Sequence, residues 1–217
     1  MSAFLGQIHF WLYRKIQLLN EREQLILKES EARLADLAEE LYNTAVDLYG
    51  KAIPADRKLE MIIDHSNIHG WLQQQIEISA VRESTFIKDL LDCGGDDASD
   101  AILEAFIKQG QACGTVAKDR LPEATAPMIY KVMQDFYLNG MPCDAPDTIL
   151  KDDADHFEWV GNHHNQILHW QKAGVSPVFM AAAYQAWFLS FVQAIDPSFT
   201  FKVNLDGDMP TYAIVKA

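Results

Sequence analysis

Four of the chain's seven histidines lie within residues 156–170, in the stretch HFEWVGNHHNQILHW. Side chains alternate along a strand, so the first part of this stretch cannot present all of its polar groups to one side. Asn162 is a suitable N-cap, which places His163 and His164 in the first turn of a helix. The helix dipole disfavours imidazolium there, and a metal ligand requires a neutral imidazole. The pattern indicates His163 and His164 as functional candidates. The alternative is that they are ordinary polar residues at a strand–helix junction.

Cys143 and the acids Asp206 and Asp208 are the additional ligands that would complete a metal site with these two histidines. Zinc favours four ligands drawn from nitrogen, sulfur and oxygen, so zinc is the divalent transition metal that the set predicts. The spacing alone does not bring these residues together. The catalytic interpretation is a thiol–imidazole pair of Cys143 with His163, in which an acid orients the ring.

A second candidate metal site is the segment DHSNIH, where His65 and His69 are four residues apart. On a helix this spacing stacks both imidazoles on one face and suits one metal. Folding a helical hairpin about residues 50–55 brings Glu40 opposite His65. Such a histidine–carboxylate pair is either a metal site or a buried hydrogen-bonded pair that fixes the helix register. His9 lies in a seam of the first helix, where a satisfied core or interface histidine is the simpler interpretation.

Long helices must position these residues in the first part of the chain. Apolar residues recur every three or four positions over 4–49 and over 56–91. The pattern predicts two helices, and the short connection at 50–55 makes them an antiparallel hairpin. The first helix is too long for a compact domain, so it either breaks near Ser30 or forms a coiled-coil-like arm. Two glycines followed by acids at 93–97 mark the clearest boundary in the chain.

The rest of the chain predicts helices together with two β-hairpins. The predicted elements are helices at 98–120 and about 123–138, a hairpin over 147–161, a short helix at 163–172, an apolar helix at 177–195 and a final hairpin over 199–215. Two hairpins can share one antiparallel sheet. The expected fold is therefore α+β, with a helical hairpin over 1–92 as a possible dimerisation arm and a ligand- or metal-binding domain over 97–217.

Composition narrows the partners of the protein. A net charge of −13 repels phosphate backbones and anionic lipid surfaces, so neither nucleic acid nor a membrane surface is expected. The stretch from Val175 to Ile195 has no charged residue and is long enough to span a bilayer. Its scattered glutamines and Pro177 at the first helical position favour a buried core helix.

Cysteine usage and the N-terminus indicate the compartment. The three cysteines are widely spaced and odd in number, so they do not form a disulfide framework and fit reduced thiols. The first residues lack a basic segment followed by a long apolar core, so no signal peptide is expected. Together these features predict a cytoplasmic protein.

Four stretches carry a family resemblance: AILEAFIKQGQACG at 101–114, FYLNGMPCD at 136–144, GNHHNQILHWQKAGVSP at 161–177 and FTFKVNLDGDMPTYAIV at 199–215. In order and pattern they resemble the 4-vinyl-reductase-type domains and the related L-2-amino-thiazoline-4-carboxylic acid hydrolases. The resemblance implies a domain that binds a small molecule or metal, or an enzyme that opens an aminothiazoline ring. Family members often carry a Cys-Pro motif where this chain has His163-His164. They also carry a thiol after the final Gly-Asp, where this chain reads GDMPT at 207–211.

Three functional hypotheses follow. The preferred one is a small-molecule- or metal-binding protein whose pocket is roofed by the apolar helix and walled by the sheet. The alternative is a C–N hydrolase of a small cyclic amide or thiazoline. In it Cys143 is the nucleophile, or His163 and His164 hold a metal that activates water. The third is an interaction module that forms a homodimer through residues 1–92, in which the histidines are structural.

Overall fold

The computed structural model describes residues 5–141, 147–161, 164–205 and 210–217, without the side chains of 164 and 165. The α+β class predicted from the sequence is confirmed. The helices are α1 (Gln7–Leu34), α2 (Asp36–Tyr49), α3 (Ile68–Lys118), α4 (Ala126–Met133), α5 (His164–Ala173) and α6 (Pro177–Ile195), with one 3₁₀ turn at Leu59–Met61. The strands are β1 (Thr148–Asp153), β2 (His156–Val160), β3 (Phe199–Asn204) and β4 (Thr211–Lys216).

The chain forms two compact units, each built from three segments. Unit 1 contains Met1–Ile102, Leu138–Met141 and Asn165–Pro177; unit 2 contains Leu103–Tyr137, Pro142–His164 and Val178–Ala217. Helix α3 belongs to both units and is interrupted at Gly95, where φ is 53° and ψ is −129°. Whether residues 97–217 fold as a domain of their own stays a prediction.

Unit 1 begins with an antiparallel helical hairpin that turns at Ala35. This residue has φ 50° and ψ −134°, outside the helical region, and separates α1 from α2. Gln24 of α1 donates a hydrogen bond of 2.7 Å to the Tyr42 hydroxyl of α2. The expected N-terminal hairpin is therefore present, but its arms are α1 and α2. Of the two alternatives predicted for 4–49, a break near Ser30 is close to the observed break at Ala35, and one unbroken arm is wrong. The prediction that 56–91 forms the other arm of the hairpin is also wrong.

Residues 50–67 return along α1 without forming a helix of any length. The Tyr13 hydroxyl donates to the Arg57 carbonyl at 3.0 Å. Helix α3 begins only at Ile68 because an Asx turn precedes it: the Asp64 carboxylate accepts from the Ser66 backbone N–H at 2.8 Å. Asn67 then caps the helix, accepting from the Gly70 N–H at 3.1 Å.

Helix α1 and the first part of α3 run parallel. Their side-chain contacts keep a nearly constant separation along the sequence, which is 60 for His9 and His69, 59 for Glu23 and Arg82, and 61 for Arg22 and Glu83. An antiparallel pair would instead keep a constant sum of residue numbers. This arrangement brings Arg22-Glu23 beside Arg82-Glu83 and His9 beside His69.

Unit 2 contains one four-stranded antiparallel sheet in the order β1-β2-β4-β3. Both predicted hairpins are present and share this sheet, as expected from their alternating residues. The buried face carries the large side chains Phe157, Trp159, Phe199, Phe201 and Ile214. Helix α4 stacks Tyr130 on Phe157 at 4.4 Å between ring centroids, and α6 places Phe188 5.0 Å from Phe201.

The apolar helix α6 also packs closely on α3 within unit 2. A Cβ added at Gly110 would lie 2.4 Å from the Trp187 carbonyl oxygen, and one at Gly114 equally close to that of Phe191. Only glycine permits this approach. Among the described helices, α6 alone is long and apolar enough to cross a membrane. Core helices of globular proteins share such length and composition.

Candidate functional site

Most of the site residues predicted in the C-terminal part fall outside the described residues. These are Cys143, His163, Asp206 and Asp208; of His164 only the backbone is described, at the first position of α5. Their catalytic and metal-binding roles stay predictions. Within the described ranges, no group of three or more His, Cys, Asp or Glu side chains could hold a metal ion.

The predicted helical pair of His65 and His69 is wrong in its geometry. His65 lies in the turn before α3, is exposed, and its Nε2 is 3.0 Å from the Glu60 carbonyl oxygen. Glu40 lies exposed on α2, and its carbonyl accepts a hydrogen bond of 2.9 Å from Thr44 Oγ1. The predicted hairpin about residues 50–55, which would bring Glu40 opposite His65, does not form, because the chain turns at Ala35.

His69 contacts His9 instead. Their Nε2 atoms are 3.3 Å apart, and the rings are tilted by 48°. The Gly6 N–H donates to His9 Nδ1 at 3.0 Å. A neutral His9 therefore carries its proton on Nε2 and donates it to Nε2 of His69. Burial, and after it the neighbouring His69, hold the pKa of His9 below its usual value, so this ring is neutral near pH 7.

Two buried ion pairs cross between α1 and α3. Arg22 binds Glu83 through Nε and Nη2 at 2.8 and 2.7 Å, and Arg82 binds Glu23 through the same two nitrogens at the same two distances. The four side chains are 6% exposed or less. Arg82 also donates to Asn20 Oδ1 at 2.8 Å. Bidentate geometry of this kind offsets the cost of removing both charges from water.

These contacts arise from an internal repeat with an offset of 60 residues. The sequence IHFWLYRKI at 8–16 returns as IHGWLQQQI at 68–76. Over residues 8–50 the identical pairs are Ile8/Ile68, His9/His69, Trp11/Trp71, Leu12/Leu72, Ile16/Ile76, Arg22/Arg82, Glu23/Glu83, Lys28/Lys88, Asp36/Asp96, Ala38/Ala98, Ala45/Ala105 and Gly50/Gly110. The helix breaks repeat as well, because Ala35 and Gly95 share nearly the same φ and ψ. A comparison of the sequence with itself would have found this signal.

The crossed ion pairs show how the two repeats are related in unit 1. Arg22 of the first repeat contacts Glu83 of the second, and Arg82 of the second contacts Glu23 of the first. This reciprocity is what an approximate two-fold axis between the repeats produces. His9 and His69, which are equivalent positions in contact with each other, lie at that axis.

Unit 2 contains a small aromatic recess between α4, α6 and the sheet. It is lined by Met133, Gln134, Tyr137, Asp147, Trp159, Phe188 and Tyr212. Trp159 and Tyr212 are cross-strand neighbours whose ring centroids are 5.9 Å apart. Among the described residues, the recess has space for about one water molecule and is partly open.

Among the described residues of this lining, Asp147 is the one that carries a charge. Its carboxylate accepts a hydrogen bond of 2.8 Å from the Tyr130 hydroxyl. Burial, and then Asp147, raise the pKa of both Tyr130 and Tyr212 above the usual value. The phenols therefore remain neutral at physiological pH, and the described part of the lining places one carboxylate, that of Asp147, beside aromatic rings.

No protein-family model, curated protein or solved structure matches this chain. The resemblance to the 4-vinyl-reductase-type domains and aminothiazoline hydrolases therefore stays a prediction.

Proposed function

We propose that this protein binds a small molecule through a primary ammonium group in the aromatic recess of unit 2. The observation that carries the proposal is the carboxylate of Asp147 beside the rings of Tyr137, Trp159 and Tyr212. Aromatic faces attract cations through their quadrupoles, and a carboxylate adds a charge-assisted hydrogen bond. The preferred hypothesis from the sequence, a pocket under the apolar helix and against the sheet, agrees with this location.

The size of the recess selects the kind of cation. Space for about one water molecule accommodates an –NH₃⁺ group, while the carbon chain of the ligand extends towards solvent. A quaternary ammonium group is too large and offers no N–H to Asp147. The net charge of −13 also raises the local concentration of cations around the protein.

The test is a titration of the full-length protein with n-butylammonium at constant ionic strength, followed by NMR shifts of the Trp159 indole. We expect saturable shifts with n-butylammonium and none with tetramethylammonium. Asp147→Asn should weaken binding about tenfold, because it removes one charge-assisted hydrogen bond worth about 1.5 kcal/mol. Asp152→Asn, which removes an equal charge from the exposed strand β1, is the matched control.

Equal affinity of Asp147→Asn and wild type would overturn the proposal, as would equal shifts from the two cations. A hydrolase acting through Cys143 and His163 remains a hypothesis from the sequence and the family resemblance. A cytoplasmic location and a homodimer formed through residues 1–92 also remain hypotheses from the sequence.

A further inference from the structure

We propose that His9 and His69 form a binding site for a divalent transition metal, zinc fitting best, at the junction of the two repeats. The metal is held by the two Nε2 atoms. Its remaining positions are filled by water or by an external donor. This site lies in unit 1, whereas the recess proposed to bind an ammonium group lies in unit 2.

His9 and His69 are identical in the two copies of the repeat, although burial does not explain why. Leu12/Leu72, Ile16/Ile76 and the paired charges are all buried, so packing accounts for their identity in both copies. His9 is half-buried and His69 is exposed. Nearby positions differ between the two copies: Phe10 corresponds to Gly70, and Arg14 corresponds to Gln74. Exposed identity is not unique to the histidines, since Asp36 and Asp96 are both exposed as well. What distinguishes His9 and His69 is that their side chains contact each other, so one shared role accounts for both.

The distance between the two nitrogens suits a shared metal. Two imidazole nitrogens at about 2.0–2.1 Å from one tetrahedral zinc are about 3.3–3.4 Å apart. Nε2 of His9 and Nε2 of His69 are 3.3 Å apart. A direct hydrogen bond from a ring N–H has its optimum at about 2.9–3.0 Å, so the observed separation is long for that interaction. The site therefore needs little movement of either helix to accept the ion.

Metal binding shifts one proton within His9. Without metal, Nδ1 of His9 accepts from the Gly6 N–H and Nε2 carries the proton. With metal, the Nε2 lone pair forms the metal–nitrogen bond and the proton resides on Nδ1. The Gly6 N–H then exchanges its acceptor for water. No proton leaves the pair, and two metal–nitrogen bonds replace one hydrogen bond.

Two protein ligands define the class of metal and the strength of binding. Imidazole nitrogen suits zinc, copper and nickel, whereas magnesium and calcium prefer oxygen ligands. Structural zinc sites use four protein ligands, so a site with two binds more weakly and keeps open positions. The arrangement is one that can recruit an external ligand to the metal.

The experiment titrates full-length, tag-free protein with zinc chloride in a calorimeter. We expect His9→Gln and His69→Gln each to lose one equivalent of zinc or to bind it at least about tenfold more weakly. His65→Gln, an exposed histidine four residues before His69, is the matched control and should bind as wild type. A His163→Gln/His164→Gln double variant separates this site from the one predicted in the C-terminal part. Zinc binding that survives in both single variants, or that disappears only in the double variant, overturns the proposal.

A second measurement uses the unaltered chain and so does not depend on the variants folding. Long-range ¹H–¹⁵N spectra report which nitrogen of each histidine carries the proton. Without zinc, His9 should be protonated on Nε2; with one equivalent of zinc, the proton should be on Nδ1 and both Nε2 signals of the pair should shift. Unchanged signals of His9 and His69 at saturating zinc would contradict the proposal.

Discussion

At the scale of residues, the sequence pattern did not indicate that four charged side chains of unit 1 are buried. The segments EREQ at 21–24 and VRES at 81–84 look like solvated helix faces when each is considered alone. Each Arg-Glu dipeptide nevertheless lies in the interior, because its partner in the other repeat satisfies it. Such pairs favour one alignment of α1 with α3, since a shift of one turn would leave four charges buried without partners.

Removing one member of a crossed pair should be strongly destabilising. Glu83→Gln leaves the buried guanidinium of Arg22 without its anion, and we expect the free energy of unfolding to fall by about 3–5 kcal/mol. Glu21→Gln is the control, because Glu21 pairs with Arg14 at a surface where both side chains are about half exposed; there we expect a loss of about 0–1 kcal/mol. Urea unfolding measures both. Equal losses would show that the buried pair does not hold α1 to α3.

The histidine pair should make stability depend on pH. The pKa of His9 in the folded protein lies below the unfolded value of 6.5. The unfolded state therefore binds the proton first, and the contribution of His9 to stability is full above about pH 6.5 and is lost as the pH falls towards its folded pKa. In the presence of a chelator, His9→Gln should lose less stability than wild type between pH 7.5 and 5.5. A parallel pH dependence of the two proteins would argue against a lowered pKa.

At the scale of elements, periodicity predicted the class of the fold and both β-hairpins. The length of the first predicted helix indicated a break near Ser30 as one of two alternatives, but no residue pattern placed the turn at Ala35. Alanine is the strongest helix former, so nothing local distinguishes Ala35 from the helical residues on either side. The equivalent break at Gly95 was visible because glycines mark boundaries. A hairpin turning at 50–55 places Glu40 opposite His65, whereas the observed turn at Ala35 does not. The contact between His9 and His69 follows from the parallel packing of α1 and α3, which the sequence analysis did not predict.

The two breaks offer a reciprocal test, because they share one conformation but not one residue type. A positive φ costs a residue with a Cβ about 1–3 kcal/mol, whereas glycine adopts it freely. Ala35→Gly should therefore stabilise the protein by about 1 kcal/mol, after allowing for the greater entropy of unfolded glycine. Gly95→Ala should destabilise it by about 1–2 kcal/mol through the backbone alone, because a Cβ there meets no atom within 4 Å. Chemical denaturation should show opposite signs for the two variants.

At the scale of the whole molecule, the repeat is clearest over 8–50 and 68–110, where twelve positions are identical. Beyond Gly50 and Gly110, only Ala52/Ala112 and Lys58/Lys118 match up to residue 67. Gly50 ends α2 with φ 87°, whereas Gly110 lies within α3 and admits the Trp187 carbonyl. The equivalent glycine therefore ends a helix in the first copy, whereas in the second it permits close packing of α6 on α3. The sequence signals that indicate structure in unit 1 and in unit 2 differ in kind. An offset of 60 was needed to see the histidine pair of unit 1, whereas local alternation was enough to predict the sheet beside the recess of unit 2.

Because the two proposed sites belong to different compact units, their ligands should act independently. A ligand at about 100 times its dissociation constant stabilises the folded state by about 2.7 kcal/mol, and contributions from uncoupled sites add. We expect zinc and n-butylammonium together to raise the free energy of unfolding by the sum of their separate effects. Asp147→Asn should remove only the effect of the amine, and His69→Gln only that of zinc. A combined effect well below the sum, or loss of both effects in one variant, would show that the two sites are not independent.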